Sequence, residues 1–176
     1  MNNLALTYQA AGKLNLAVPL FEETLKLKKA KLGPDHPSTL LSMNNLAIAY
    51  HDAGKLDLPL PLFEETLKLR KAKLGPDHPD TANTMASLGS LLIDKRRFTE
   101  AEELLRECLT ISEERKPDDW TTFNTRRLLG LALLGQKKSA DAEPLLLKGY
   151  EGMKEREKSI PKSGGADKRI PEPLMR

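Results

Sequence analysis

The chain has 176 residues, 39% of them hydrophobic and 30% charged, with a formal net charge of +3. That is the size of one ordinary domain, and it is too apolar for a disordered chain. No stretch approaches the roughly 18 consecutive apolar residues of a membrane span. The opening residues carry no basic-then-apolar export segment, so the expected location is cytoplasmic, and the single cysteine, Cys108, excludes an intrachain disulfide and any four-cysteine zinc framework.

Self-similarity organises everything else. Residues 1–42 read MNNLALTYQAAGKLNLAVPLFEETLKLKKAKLGPDHPSTLLS, residues 43–84 read MNNLAIAYHDAGKLDLPLPLFEETLKLRKAKLGPDHPDTANT, and 30 of the 42 positions are identical. A period of this length marks an array of stacked supersecondary units. The third unit, residues 85–125, starts in phase at Met85 but has diverged, and it is one residue shorter near Lys116. The fourth, residues 126–157, keeps the pattern through LLGLALLGQKKSADAEPLLLKGYEGMKE. Residues 158–176 remain as a tail, read as a flexible linker around Ser163-Gly-Gly-Ala166 followed by the opening of a possible further helix at Arg169.

Each unit holds two helical patterns. In the second, Leu46, Ala47 and Tyr50 form one side of the first helix at the 3-to-4 spacing of a buried stripe. Ala53-Gly54-Lys55 breaks it, with Gly54 placed for a left-handed stop. Asp57 is the expected N-cap of the second helix, and Pro59 and Pro61 fall near its first turn, where missing N–H groups cost least. Leu62, Phe63, Thr66, Leu67 and Leu69 carry the second stripe to about Leu74. Gly75-Pro76-Asp77-His78-Pro79 then ends it, with Pro79 near the start of the next helix.

These residues resemble the tetratricopeptide repeat. Leu4-Ala5-Tyr8, Leu46-Ala47-Tyr50, Leu88-Gly89-Leu92 and Leu129-Gly130-Leu133 match its first helix, helix A. Ala17-Phe21-Thr24, Pro59-Phe63-Thr66, Ala101-Leu105-Cys108 and Ala142-Leu146-Gly149 match helix B, with Pro59 a departure from the small residue usual there. The 42-residue length, the Asn-Asn-Leu-Ala start and the Leu-Gly-Pro-Asp-His-Pro link are similar to the kinesin-light-chain class, and near-identical tandem copies point to a bacterial source. The resemblance implies an all-α fold, a right-handed α-solenoid of about four antiparallel helix pairs across residues 1–157. It also implies a non-catalytic scaffold that binds a peptide or partner domain in the concave groove lined by helix A. The matching groove positions are Asn2, Asn3, Gln9, Asn44, Asn45, His51, Ser87, Ser90, Asn124 and Arg127. A side-chain amide both donates to and accepts from a peptide backbone, and Arg127 can pair with a carboxylate. The alternative for the Asn-Asn pairs is that one Asn of each bonds the neighbouring repeat and only maintains stacking. The clamp that other members use for a C-terminal carboxylate is not expected, because Leu6 and Ile48 occupy its positions.

Other residues have simpler accounts. His36 and His78 recur in Asp-His-Pro links 42 residues apart, so turn and cap chemistry explains them better than a metal. Cys108 takes a small-residue position of helix B, the place of an inert buried thiol. Trp120 opens the fourth helix A, as a packing residue or a partner anchor. The run from Glu22-Glu23 to Lys28-Lys29, copied as Glu64-Glu65 to Arg70-Lys71, complements the helix dipole and reads as a solvated face. The sequence contains no phosphate loop, HEXXH helix, nucleophile elbow or kinase signature, so neither catalysis nor a cofactor is expected. Residues 154–176 hold seven Lys/Arg against four Asp/Glu, which accounts for the whole net charge, so neither nucleic acid nor membrane is expected as a partner. Two rival readings remain: a regulatory or docking segment of a larger signalling protein such as a serine/threonine kinase, or an array that self-associates through uncapped ends. The start of the chain inside the repeat phase, and the tail, lead us to expect a segment of a longer protein.

Overall fold

The computed structural model describes residues 1–159, and the expectations for the tail lie almost wholly outside them. Eight α-helices make up most of the described residues: α1 (Asn2–Ala10), α2 (Leu14–Leu32), α3 (Pro37–Asp52), α4 (Pro59–Leu74), α5 (Pro79–Asp94), α6 (Phe98–Arg115), α7 (Trp120–Gly135) and α8 (Ser139–Glu155). A short 3-10 turn, Glu157–Ser159, follows. Odd-numbered helices are the A helices of the repeat and even-numbered ones the B helices. The fold is the all-α helical-repeat class expected.

Link chemistry sets the helix starts. The His36 and His78 Nδ1 atoms accept from the backbone N–H of Ser38 and Asp80, each at 3.1 Å, capping α3 and α5. Asp119 does the same for α7, its Oδ1 accepting from Thr121 N–H at 2.9 Å. Pro37 and Pro79 occupy the first helical position, where the absent N–H is one of the orphans anyway. Asp57, by contrast, does not cap α4. The cap position is Leu58, with no side-chain bond, because prolines at 59 and 61 remove N–H donors that a cap would have satisfied.

The turn from helix A to helix B needs a left-handed residue. Gly12 (φ 70°) and Gly54 (φ 71°) supply it in the first two repeats, whereas Arg96 (φ 59°) and Lys137 (φ 64°) supply it in the last two. The latter two accept a strain that glycine avoids.

The chain forms two compact units, dividing between Thr84 and Met85. In the first, Ala5, Ala17, Val18, Phe21, Leu25, Leu40, Met43, Leu46 and Ala49 form a continuous core. Phe21 and Phe63 are fully buried, each contributing about 1.5–3 kcal/mol by area removed from water. In the second unit, glycines let bulky residues approach. A Cβ at Gly89 would lie 2.6 Å from the Leu105 side chain, and one at Gly130 would lie 2.7 Å from Leu146. These are the small-against-large contacts that the repeat pattern prescribes between helices A and B.

Candidate functional site

The helix A positions singled out from the sequence have different fates. In the first unit, Asn44 is buried on α3, and its Oδ1 accepts from the Thr84 hydroxyl at 3.2 Å. The Thr84 oxygen in turn accepts from Arg70 Nη1 at 2.7 Å, and the same nitrogen reaches the Asp80 carbonyl at 2.6 Å. Gln9 is buried too, its Nε2 donating to Asp52 Oδ2 at 2.8 Å and so tying α1 to α3. Asn2 is half-buried, and its Oδ1 and the Ser42 Oγ are buried without a partner among the described residues. Asn3 is exposed and Asn45 half-exposed. His51 is half-exposed at the end of α3.

In α5, Ser87 and Ser90 are half-exposed. On α7, Asn124 and Arg127 form a pair, with Asn124 Oδ1 accepting from Arg127 Nη2 at 3.0 Å and Nε at 3.3 Å. Burial pushes the Arg127 guanidinium down from its ordinary range.

Arg70 departs from the sequence reading. The charge run on α4 was expected to face solvent, yet Arg70 is 2% exposed and its Nε has no partner among the described residues. Burial is the main influence on its guanidinium and pushes it down, against the opposing charge of Asp80. Its counterpart Lys28 remains half-buried, with Nζ donating to the Ser38 carbonyl at 3.1 Å. The signal was available in the sequence. Between two near-identical repeats, Lys28 becomes Arg70 together with Ser38 to Asp80 and Ser42 to Thr84, and these are the residues that meet.

An open cleft of about 490 Å³ lies between the start of α2 and the end of α3, with Val18 and Pro19 inside and Glu22, Asp52 and Lys55 at its rim. Its carboxylates are already engaged. Glu22 Oε1 accepts from the Tyr50 hydroxyl at 2.7 Å and Asp52 holds Gln9. Burial, and then the neighbouring Glu22, push the Tyr50 hydroxyl up to about 12. One oxygen of each carboxylate is thus committed to a hydrogen bond that ties neighbouring helices together. Cys108 is buried, its thiol pushed up by burial and 3.9 Å from the Thr125 hydroxyl. Among the described residues no three or more His, Cys, Asp or Glu side chains gather to hold a metal ion, and no helix is long and apolar enough to cross a membrane.

The geometry is that of a helical-repeat scaffold, and comparison with known proteins gives the class a name. The family model described as tetratricopeptide repeat matches residues 1–72 and 51–114. This chain belongs to the tetratricopeptide repeat family, whose members typically mediate protein–protein interaction. Among solved structures it is similar to a Podosopora anserina kinesin light chain-type protein with nearly identical TPR-like repeats: 24% identity, 92% of this chain and 77% of that one covered, TM-score 0.77. It is also similar to BtubC (BKLC) from P. vanneervenii, at 18% identity, 91% and 64% coverage and TM-score 0.78. A third similar structure is MamA of RS-1, at 18% identity, 87% and 73% coverage and TM-score 0.62. At these identities the likeness establishes the fold. No curated protein matches the sequence.

Proposed function

We propose that the chain is a non-catalytic scaffold that holds a peptide or partner domain against the polar side chains of its A helices. The observation that carries this reading is a division of labour within the second Asn-Asn pair, Asn44 and Asn45. Asn44 is spent inside the fold on Thr84, whereas Asn45, and Asn3 on α1, keep amides at the surface. An accessible amide matches one donor and one acceptor of an extended peptide backbone, which suits recognition by hydrogen bonding with little demand on sequence. In the second unit, Ser87, Ser90, Asn124 and Arg127 supply polar side chains on the A helices α5 and α7.

The test is a displayed-peptide screen on the full chain, repeated with Asn3→Ala/Asn45→Ala. Loss of about tenfold or more in affinity for the enriched peptides is expected, equivalent to one to two hydrogen bonds, with an unchanged helical circular dichroism spectrum. Undiminished binding by the folded variant would refute the assignment of these side chains. Failure to enrich any peptide would refute the peptide-binding reading itself.

A further inference from the structure

Most of the half-buried arginines of the second unit are answered by carboxylates. Arg126 is bonded to Glu113 at 2.8 Å, and Arg156 to Glu155 at 3.0 Å and Asp118 at 3.4 Å. Arg127 is different. Among the described residues its only hydrogen-bond partner is the neutral Asn124 oxygen, which engages Nε and Nη2 and leaves Nη1 without a bond. A guanidinium keeps its charge under any ordinary condition, so this is a preorganised, partly desolvated cation with half of its planar fork unused.

The rest of that helix face is built for contact. Trp120, Asn124, Arg127, Leu131 and Leu134 recur at 4, 3, 4 and 3 residues along α7, a single stripe of the helix. The first four are half-exposed and Leu134 is 42% exposed. A tryptophan and an arginine flanked by leucines have the composition of an interface centre rather than of ordinary solvated surface.

The first unit shows what such a face receives. Arg127 occupies the repeat position of Asn44, and there the α5 helix lies close enough for the Thr84 hydroxyl to meet Asn44 Oδ1 at 3.2 Å. The polarity is reversed on α7. Asn44 presents an acceptor to a donor, whereas Arg127 presents a donor that meets no anion among the described residues.

From this we infer that the α7 face seats a helix of a partner protein that places an Asp or Glu side chain on Arg127, at the point where Thr84 sits over Asn44, with apolar residues flanking the carboxylate. The inference rests on the reading of the chain as a protein-binding scaffold and names the chemistry of the partner.

The probe is a peptide of residues 79–94, the helix that fills this role in the first unit, stapled on its outer side because a 16-residue helix is marginal alone. One version carries Thr84→Glu and the other Thr84→Gln. Trp120 is the only tryptophan of the chain, so its emission reports binding at this face directly. The full chain is expected to bind the Glu peptide about tenfold more tightly than the Gln peptide, as a charge-assisted hydrogen bond requires, with a shift in Trp120 emission. Arg127→Gln should erase that preference and Arg127→Lys retain part of it. Equal binding of the two peptides, a preference that survives Arg127→Gln, or no binding by either would overturn the inference. So would a preference that appears only after Asp167→Asn and Glu172→Gln, which would assign Arg127 to acidic residues of the chain's own tail. Peptide-screen binding that depends on Asn3 and Asn45 while the α7 face stays silent would sink this proposal and leave the scaffold reading intact.

Discussion

Arg70 carries a full charge into a site that offers it a carbonyl oxygen and a hydroxyl but no carboxylate in contact. Two effects oppose each other there. Taking the guanidinium out of water is expensive, and the orphaned Nε recovers nothing. The two bonds from Nη1 satisfy the Asp80 carbonyl and help orient Thr84 toward Asn44, joining α3, α4 and α5 in one network. Truncation and isosteric replacement separate these effects. Arg70→Ala leaves a cavity where the long side chain was buried, and is expected to destabilise by about 2–4 kcal/mol. Arg70→Met keeps the volume and removes the buried charge, and is expected to stay within about 1 kcal/mol of the parent. Urea unfolding followed by circular dichroism reads both. An equal, large loss in the two variants would mean that the charge itself stabilises the network. Hydropathy hid this residue, since a long cationic side chain near the end of a helix reads as solvated. Only the covariation of positions 70, 80 and 84 against 28, 38 and 42 pointed inward.

Helices A and B meet through small residues, and at the scale of the element this part of the fold was the most legible. Gly89, Gly130 and Gly149 stand where the repeat pattern calls for a small side chain, and each is approached by its partner helix. The contacts differ in kind. A Cβ at Gly149 would lie 2.9 Å from both the Arg127 nitrogen and the Phe123 carbonyl oxygen, which are backbone atoms of α7. At Gly89 it would meet the end of the Leu105 side chain at 2.6 Å, and the first two repeats already hold Ala5 and Ala47 at the matching position. Alanine gains about 1 kcal/mol of helix propensity over glycine in either place. At Gly149 that gain is overcome, because α7 and α8 must separate, and overpacking costs about 1–3 kcal/mol. Gly149→Ala is therefore expected to lower the melting temperature by several degrees, and Gly89→Ala by clearly less. The reverse order would mean that the helix spacing is set by contacts other than these. The A-to-B turns were only half legible. Gly54 announced its left-handed backbone, whereas Arg96 and Lys137 adopt the same conformation with no cue in their chemistry.

Across the whole molecule, the repeat made the helix count and the class of fold readable, because each unit restates the same apolar spacing. Ion pairing was not readable, because partners such as Glu102 and Lys138 lie far apart in sequence and meet only once α6 and the start of α8 are in place. Those pairs set the response to acid. Bonds from Lys138, then Arg106 and Gln136, outweigh the effect of burial and hold the Glu102 carboxyl down at about 2, against an ordinary 4.5. Lys73 lowers Asp35 and Arg97 lowers Glu100, chiefly by hydrogen bonding. A carboxyl group depressed by folding is protonated more readily in the unfolded chain. Between pH 4.5 and 2 the unfolded state therefore binds more protons than the folded one, and stability must fall as pH drops. Above pH 4.5 the contribution of Glu102 is fully present; below pH 2 it is gone. Asp35 and Glu100 are solvated and well screened, so most of this slope should belong to Glu102, whose side chain is only 12% exposed. Urea midpoints measured from pH 5 to 2 are expected to decline for the parent chain. Glu102→Gln should start lower at pH 5 and decline less steeply, so that the two curves converge at the acid end. Parallel curves would show that Glu102 does not carry the acid response, and that the exposed pairs or the unfolded state set it instead.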